Sequence, residues 1–207
     1  AFGGRRLDSA PFASGRGRVV SEPVGVVVGF PSWNGPAYNA SLKAAPALLA
    51  GCPVILKTVP EVGLSTRVLS EVFAEADLPP GVVSFVPADQ AVSERLVADP
   101  GVDKVSFTGS TAVGRRIMAL CADRVGRVSL ELGGKSAAVV LDDVEPGPDV
   151  ARVVANGVQN SGQVCSANTR VLLPRRRFEG WLAALGAALV SLRVGDPFDE
   201  ATDLSGP

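Results

Sequence analysis

The 207-residue sequence contains no histidine. That excludes Ser-His-Asp and Cys-His catalysis and any zinc site built on imidazole. A base working beside a nucleophile must then be a carboxylate, a lysine or the surroundings. Cysteine is scarce and odd in number, with Cys52, Cys121 and Cys165 far apart. Such spacing excludes a disulfide framework, makes a poor metal site and predicts a reducing, cytoplasmic compartment. No apolar run is long enough to span a bilayer, and no signal-peptide pattern occurs. Neither sign of charge dominates: the net charge is −1 with both signs interspersed. Nucleic acid and anionic membrane are therefore not expected partners. The short basic run Arg175-Arg176-Arg177 is predicted to open a helix as a solvated face.

What is present points to a globular α/β protein. The chain is 46% hydrophobic and 20% charged, with 23 glycines. It starts at Ala1 without a methionine and stops in the loop-like Ser205-Gly206-Pro207, which predicts a piece of something longer. Residues 1–17 read as a loop or arm, followed by a short strand candidate at 18–22. Val24 to Phe30 is a continuous β-branched run, as in a strand buried on both faces of a parallel sheet. Turn residues 31–36 follow, then an alanine-rich helix over 37–50, kinked by Pro46 and stopped by Gly51. Strands at 54–57, 82–86, 104–107 and 128–132 then alternate with helices at 64–76, 91–98 and 111–122. After Gly133-Gly134 the rhythm restarts, with strands at 137–141 and 169–173 and helices at 148–160 and 175–192. This alternation predicts right-handed βαβ units, a Rossmann-like parallel sheet with helices on both faces, and the start of a second α/β domain. The expected divisions are 1–23, 24–132 and 133–207.

Open α/β sheets bind ligands beyond the carboxyl ends of their strands. Asn34, Lys57, Gly109-Ser110 and Glu131 all fall there. Gly109-Ser110-Thr111-Ala112-Val113-Gly114 joins a strand to a helix, where backbone N–H groups favour phosphate. It is neither G-x-G-x-x-G nor a Walker A loop, and it also reads as a plain turn with Ser110 as N-cap. Lys57 could donate to ribose hydroxyls or be a surface lysine. Glu61 could accept from a ribose diol or simply open the next helix. Glu131 stands between Leu130 and Leu132; burial there would suit it to general-base work, and pairing with Lys135 or an arginine is the alternative. Asn34 could donate to a developing oxyanion or be an ordinary turn asparagine. Cys165 lies in the polar loop Gly162-Gln163-Val164-Cys165-Ser166-Ala167-Asn168 and reads as a nucleophile or a buried thiol.

Together these stretches resemble the NAD(P)-dependent aldehyde dehydrogenase superfamily. The resemblance rests on Pro31-Ser32-Trp33-Asn34-Gly35-Pro36, Leu56-Lys57, Phe107-Thr108-Gly109-Ser110-Thr111-Ala112-Val113-Gly114, Leu130-Glu131-Leu132-Gly133-Gly134-Lys135-Ser136 and Gly162-Gln163-Val164-Cys165. These occur in the family's order, and Glu131 precedes Cys165 at the family's spacing. The resemblance implies oxidation of an aldehyde to a carboxylic acid with hydride transfer to NAD(P)+, through a thiohemiacetal and a thioester on Cys165. It implies that the Asn34 amide stabilises the oxyanion and that Glu131 activates the hydrolytic water. Lys57, with Glu61, would hold the adenosine ribose, and Ser110, with Gly109, Thr111 and Gly114, the pyrophosphate. Phe30, Pro31, Ser32, Trp33, Phe107, Leu132 and Gly133 would line the dinucleotide. The first twenty or so residues resemble the hairpin through which such enzymes form homodimers and homotetramers.

Two departures stand out. Ser32 replaces the proline that usually precedes the tryptophan. Pro60 stands where NAD-preferring members often carry a glutamate, which here is Glu61; NAD is still expected, with NADP as the alternative cofactor. The family chain is about twice this length, so the resemblance implies a central portion. A CoA-acylating semialdehyde dehydrogenase is a second reading, against which Glu131 argues. A truncated non-catalytic fragment is the third.

Overall fold

A computed structural model describes residues 5–7 and 17–206. Most of the predicted arm, residues 1–4 and 8–16, lies outside the described residues. In the rest of it, strand β1 (Arg5–Leu7) pairs antiparallel with β2 (Gly17–Val19). The chain divides into two compact units, Ala1–Glu131 and Leu132–Pro207.

The first unit continues through β3 (Val27–Phe30), α1 (Pro36–Leu49), β4 (Val54–Thr58), α2 (Gly63–Glu75) and β5 (Val83–Pro87). It then runs through α3 (Gln90–Ala98), β6 (Lys104–Gly109), α4 (Thr111–Ala122) and β7 (Arg127–Leu132). The five strands form one sheet in the order β5-β4-β3-β6-β7. Registers are parallel, with Val27 opposite both Val54 and Lys104. The expected strand at Val24 starts three residues later than its apolar run. Gly25 takes a φ of 109°, and the Val26 N–H donates to Asp103 Oδ2 at 2.7 Å, so the chain joins the ladder only at Val27. Helix α1 runs through Pro46 and ends soon after it.

Side-chain alternation along the strands separates two apolar layers. Val27, Val54 and Leu56 pack against Ala40, Ala44 and Ala47 of α1 and Leu69 and Phe73 of α2. On the other side, Phe30 and Phe107 meet edge to face, with ring centroids 6.3 Å apart. There they share a cavity wall with Val97 of α3 and Ile117 of α4. Each helix pair thus covers its own sheet face, and β3 is buried throughout.

The second unit holds β8 (Ala137–Val139), α5 (Pro148–Val158), β9 (Arg170–Leu172) and α6 (Phe178–Val190). Two short strands, β10 (Val194–Gly195) and β11 (Leu204–Ser205), follow. Strands β8 and β9 pair in parallel, and α5 packs against α6. The core is Trp181, fully buried among Val140, Val150, Leu173 and Leu185. Its indole N–H donates to the Val144 carbonyl at 3.2 Å, so the polar edge of the ring is satisfied. The arginine run leaves Arg175 and Arg176 exposed, as the sequence suggested, with Arg177 half-buried. It forms a 3-10 turn before α6, with Arg176 paired to Asp142 and Arg177 to Glu145. These pairs tie the start of α6 to the loop after β8.

Because Trp181 fills the centre of so small a core, Trp181→Ala should cost about 3–5 kcal/mol. Trp181→Phe should cost less. Urea unfolding followed by far-ultraviolet circular dichroism checks both.

Candidate active site

The sheet order carries the chain from β3 outward to β4 and β5, then back to the other side of β3 at β6. Loops leaving β3 and β6 therefore diverge, and in such folds this switch point opens the ligand crevice. The loop after β3 holds Pro31, Ser32, Trp33 and Asn34; Pro31 is buried, Trp33 exposed, and Ser32 and Asn34 half-buried. The Ser32 hydroxyl donates to Asn34 Oδ1 at 2.7 Å. That bond fixes the oxygen end of the amide and directs its donor end away from Ser32. Ser32, a departure from the family pattern, thus acts on the candidate oxyanion donor.

A cavity of about 680 Å³ lies on the α3/α4 face of the sheet. Phe30, Val97, Phe107, Ile117 and Leu120 give it an apolar floor; Lys57, Glu61, Asp89, Gln90 and Arg116 give it polar edges. Lys57 comes off the end of β4 and is only 8% exposed, so it is not a surface lysine. Burial lowers the pKa of its ammonium, and the carboxylates of Glu61 and Asp89 raise it part of the way back. Among the described residues that ammonium makes no hydrogen bond or ion pair. Glu61 is exposed in a 3-10 turn, Pro60–Val62.

The Gly109–Gly114 segment adopts the strand-to-helix turn. Ser110 caps α4, its Oγ accepting from the Val113 N–H at 3.3 Å, and Thr111 opens the helix. Gly114 is buried within the first turns. Gly109 is needed for a close approach: a Cβ there would lie 2.4 Å from Phe107 Cζ. The Phe107 ring, part of the cavity floor, rests over that glycine.

One residue that the sequence reading passed over is Lys43 of α1. It is buried, and its Nζ donates to Thr108 Oγ1 at 2.7 Å and more weakly to Ser106 Oγ at 3.5 Å. Burial pushes its pKa down, and the carboxylate of Glu131 pulls it back up. The signal was available, because Ala40, Lys43, Ala44 and Ala47 share one helix face. Glu131 itself corrects an expectation. Along β7, burial alternates residue by residue, so Leu130 and Leu132 turn inward and Glu131 turns to the exposed face. The strand lies at the sheet edge.

In the second unit, Cys165 is a free, exposed thiol, not a buried one. It sits at the corner of a turn closed by the Ala167 N–H donating to the Val164 carbonyl at 3.1 Å. The chain enters this turn through Asn160, Ser161 and Gly162, whose φ angles are 51°, 56° and 78°. Consecutive non-glycine residues in that region are strained, and the surroundings must hold them. Ser161 Oγ does so by donating to the Ser205 carbonyl at 2.6 Å. On the far side the Asn168 N–H donates to the Asn156 carbonyl of α5. Gly134 lies beside the Cys165 carbonyl, while Gly133 is exposed. No group of acidic or cysteine side chains able to hold a metal occurs among the described residues, and no helix is long and apolar enough to cross a membrane.

A doubly wound sheet with a switch-point crevice, joined in one chain to a unit presenting an exposed cysteine turn, defines a narrow class of proteins. The aldehyde dehydrogenase family profile matches residues 3–207, and the chain belongs to that family. It is 45% identical over 181 residues to geranial dehydrogenase of Castellaniella defragrans, covering 87% of this chain and 38% of that protein. It is 41% identical over 186 residues to betaine aldehyde dehydrogenase 2 of Rhizobium meliloti, covering 90% of this chain and 38% of that one. Among solved structures, a Mycobacterium tuberculosis aldehyde dehydrogenase complexed with NAD+ superimposes with a TM-score of 0.91 at 42% identity, over 99% of this chain and 41% of its own. An E. coli NADP-dependent enzyme does so with a TM-score of 0.90 at 34% identity, over 98% and 42%. The chain therefore spans about two fifths of the length of these relatives.

Two outcomes test this geometry. A lysine whose pKa falls on folding binds fewer protons in the native chain than in the unfolded one between its lowered value and 10.5. Stability from Lys43 therefore rises as pH climbs through that window. Wild-type protein should gain stability relative to Lys43→Met in urea titrations as the pH rises toward 10.5. Gly109→Ala should displace the Phe107 ring and cost about 1–3 kcal/mol, read in the same way.

Proposed function

We propose that this chain carries the nucleotide groove and the nucleophile of an enzyme that oxidises aldehydes to carboxylic acids with NAD+. The observation that carries the reading is the groove at the switch point, with its buried and unpartnered Lys57 ammonium. An apolar floor with a few polar groups at the edges, at this volume, suits a flat heteroaromatic base with an attached sugar. Lys57 donates to the adenosine ribose, with Glu61 as a neighbouring acceptor. Ser110 and the first turn of α4, Thr111 to Gly114, would hold the pyrophosphate. Phe30, Phe107 and Gly109 form the adjoining wall, and the backbone of Pro31, Ser32, Trp33, Leu132 and Gly133 lines the remaining length.

The chemistry assigned to the chain's own residues balances without histidine. The Cys165 thiolate adds to the aldehyde carbon, and the carbonyl π electrons move onto oxygen to give a thiohemiacetal oxyanion. The Asn34 amide and the Cys165 backbone N–H donate to that oxygen. The bound nicotinamide supplies the hydride acceptor. As the oxyanion reforms its carbonyl, the carbon–hydrogen bond would break and the hydride leave for that acceptor, so that a thioester remains on Cys165. Glu131 takes a proton from water, the hydroxide adds to the thioester, and the carbon–sulfur bond breaks to release the acid and the thiolate. The family's oligomeric assembly belongs to the same reading, with β1 and β2 as the contributing hairpin. In it, the groove-bearing sheet of residues 24–132 serves the cofactor and residues 133–207 begin the catalytic domain.

In the full protein, Cys165→Ala should abolish aldehyde-dependent NADH formation. Glu131→Gln should retain a single-turnover burst of NADH and lose steady-state turnover. A Cys165→Ala protein that still forms NADH refutes the assignment. Ser32→Ala should lower kcat more than it raises KM, since it removes the hydroxyl that holds Asn34 Oδ1.

A further inference from the structure

The groove that holds Lys57 carries more negative than positive side chains. Its cations are Lys57 and Arg116; its acids are Glu61, Asp89 and Glu94. Arg116 is already committed, its Nη2 lying 3.1 Å from Glu94 Oε2. Gln90 Nε2 donates to the other oxygen of the same carboxylate at 3.5 Å. What remains is a buried lysine flanked by two carboxylates. Glu61 is exposed and its side chain can turn to solvent. Asp89 cannot: its Oδ1 accepts from the Val92 N–H at 3.0 Å, which pins the carboxylate on the N-terminus of α3. The amide dipoles at that helix end would otherwise favour an anionic ligand. A protein carboxylate fills the place.

We propose that Asp89 restricts this groove to dinucleotides whose adenosine ribose has a free 2′-hydroxyl, so that the protein selects NAD+ over NADP+. The inference rests on the groove assignment given above. A 2′-phosphate brings about 1.5 to 2 negative charges. It would meet a fixed carboxylate, with no uncommitted arginine to offset it, and like charges held together in a binding site are strongly unfavourable. A 2′-hydroxyl is both donor and acceptor, so it can donate to Asp89 while accepting from Lys57. Backbone architecture does not set the preference, because NAD+-bound and NADP-dependent relatives share it. Nor does Pro60, which has no charge to offer.

The test is isothermal titration of the protein with NAD+ and with NADP+, in wild type, Asp89→Asn and Asp89→Ser. Asparagine and serine both cap helices, so each variant removes the charge and keeps the helix start. Wild type should bind NAD+ more tightly. In both variants the ratio of the NADP+ Kd to the NAD+ Kd should fall roughly tenfold or more. A ratio that stays constant in both variants overturns the inference, as does a wild-type protein that prefers NADP+. A fall seen only in Glu61→Gln reassigns the discrimination and overturns it too. Wild-type protein that binds neither nucleotide, or a Lys57→Met variant that binds both normally, refutes the groove assignment itself.

Discussion

The reversal of winding at β3 is the constraint on which the first unit depends. Right-handed crossovers place successive helices on one face while the chain moves one way, and on the other face once it turns back. At β3 the chain has moved out to β5 and returned to β6. That single return puts α1 and α2 on one side and α3 and α4 on the other. It requires β3 to be apolar on both faces, which Val27 and Val28 satisfy. It also separates the loop carrying Asn34 from the turn carrying Ser110. The groove exists because two helix pairs cannot both close over the point where they part.

Two lysines are buried in this unit, and the same cost is met in two ways. Withdrawing an ammonium from water lowers its pKa, and partners in the protein offset part of that cost. Lys43 finds them in the hydroxyls of Ser106 and Thr108, on neighbouring residues of the same strand face. Lys57 makes no hydrogen bond or ion pair among the described residues and lines the same cavity as Glu61 and Asp89. The first arrangement is complete as it stands. The second leaves the ammonium turned to the cavity.

Much of this was legible in the sequence because each signal was local. The β-branched run at Val26 to Val28 announced a buried strand, and Gly109-Ser110 set the start of α4 at Thr111, where the structure has it. Polar, small residues around Cys165 announced a loop. Other features escaped because they depend on partners remote in sequence. The beginning of β3 was set by Asp103, not by its own apolar residues. Glu131 was read as enclosed by its leucine neighbours, yet in a strand those neighbours point to the opposite face. Lys43 was hidden among alanines until its helix face was matched to Thr108. Asp89 follows Pro87-Ala88 and looks like any loop aspartate until α3 and Lys57 are placed beside it. The left-handed pair Asn160-Ser161 has no glycine at those positions to signal it.

The two tryptophans occupy opposite extremes of exposure, and each belongs to a different unit. Trp33 stands in the loop after β3 with 54% of its surface in solvent, whereas Trp181 has none. A water-borne quencher such as iodide reaches the first and not the second while the protein is folded. Their emission maxima should also separate, red for the wet indole and blue for the sealed one. The molecule thus contains two intrinsic optical channels, one on the loop after β3 and one in the core of the cysteine-bearing unit.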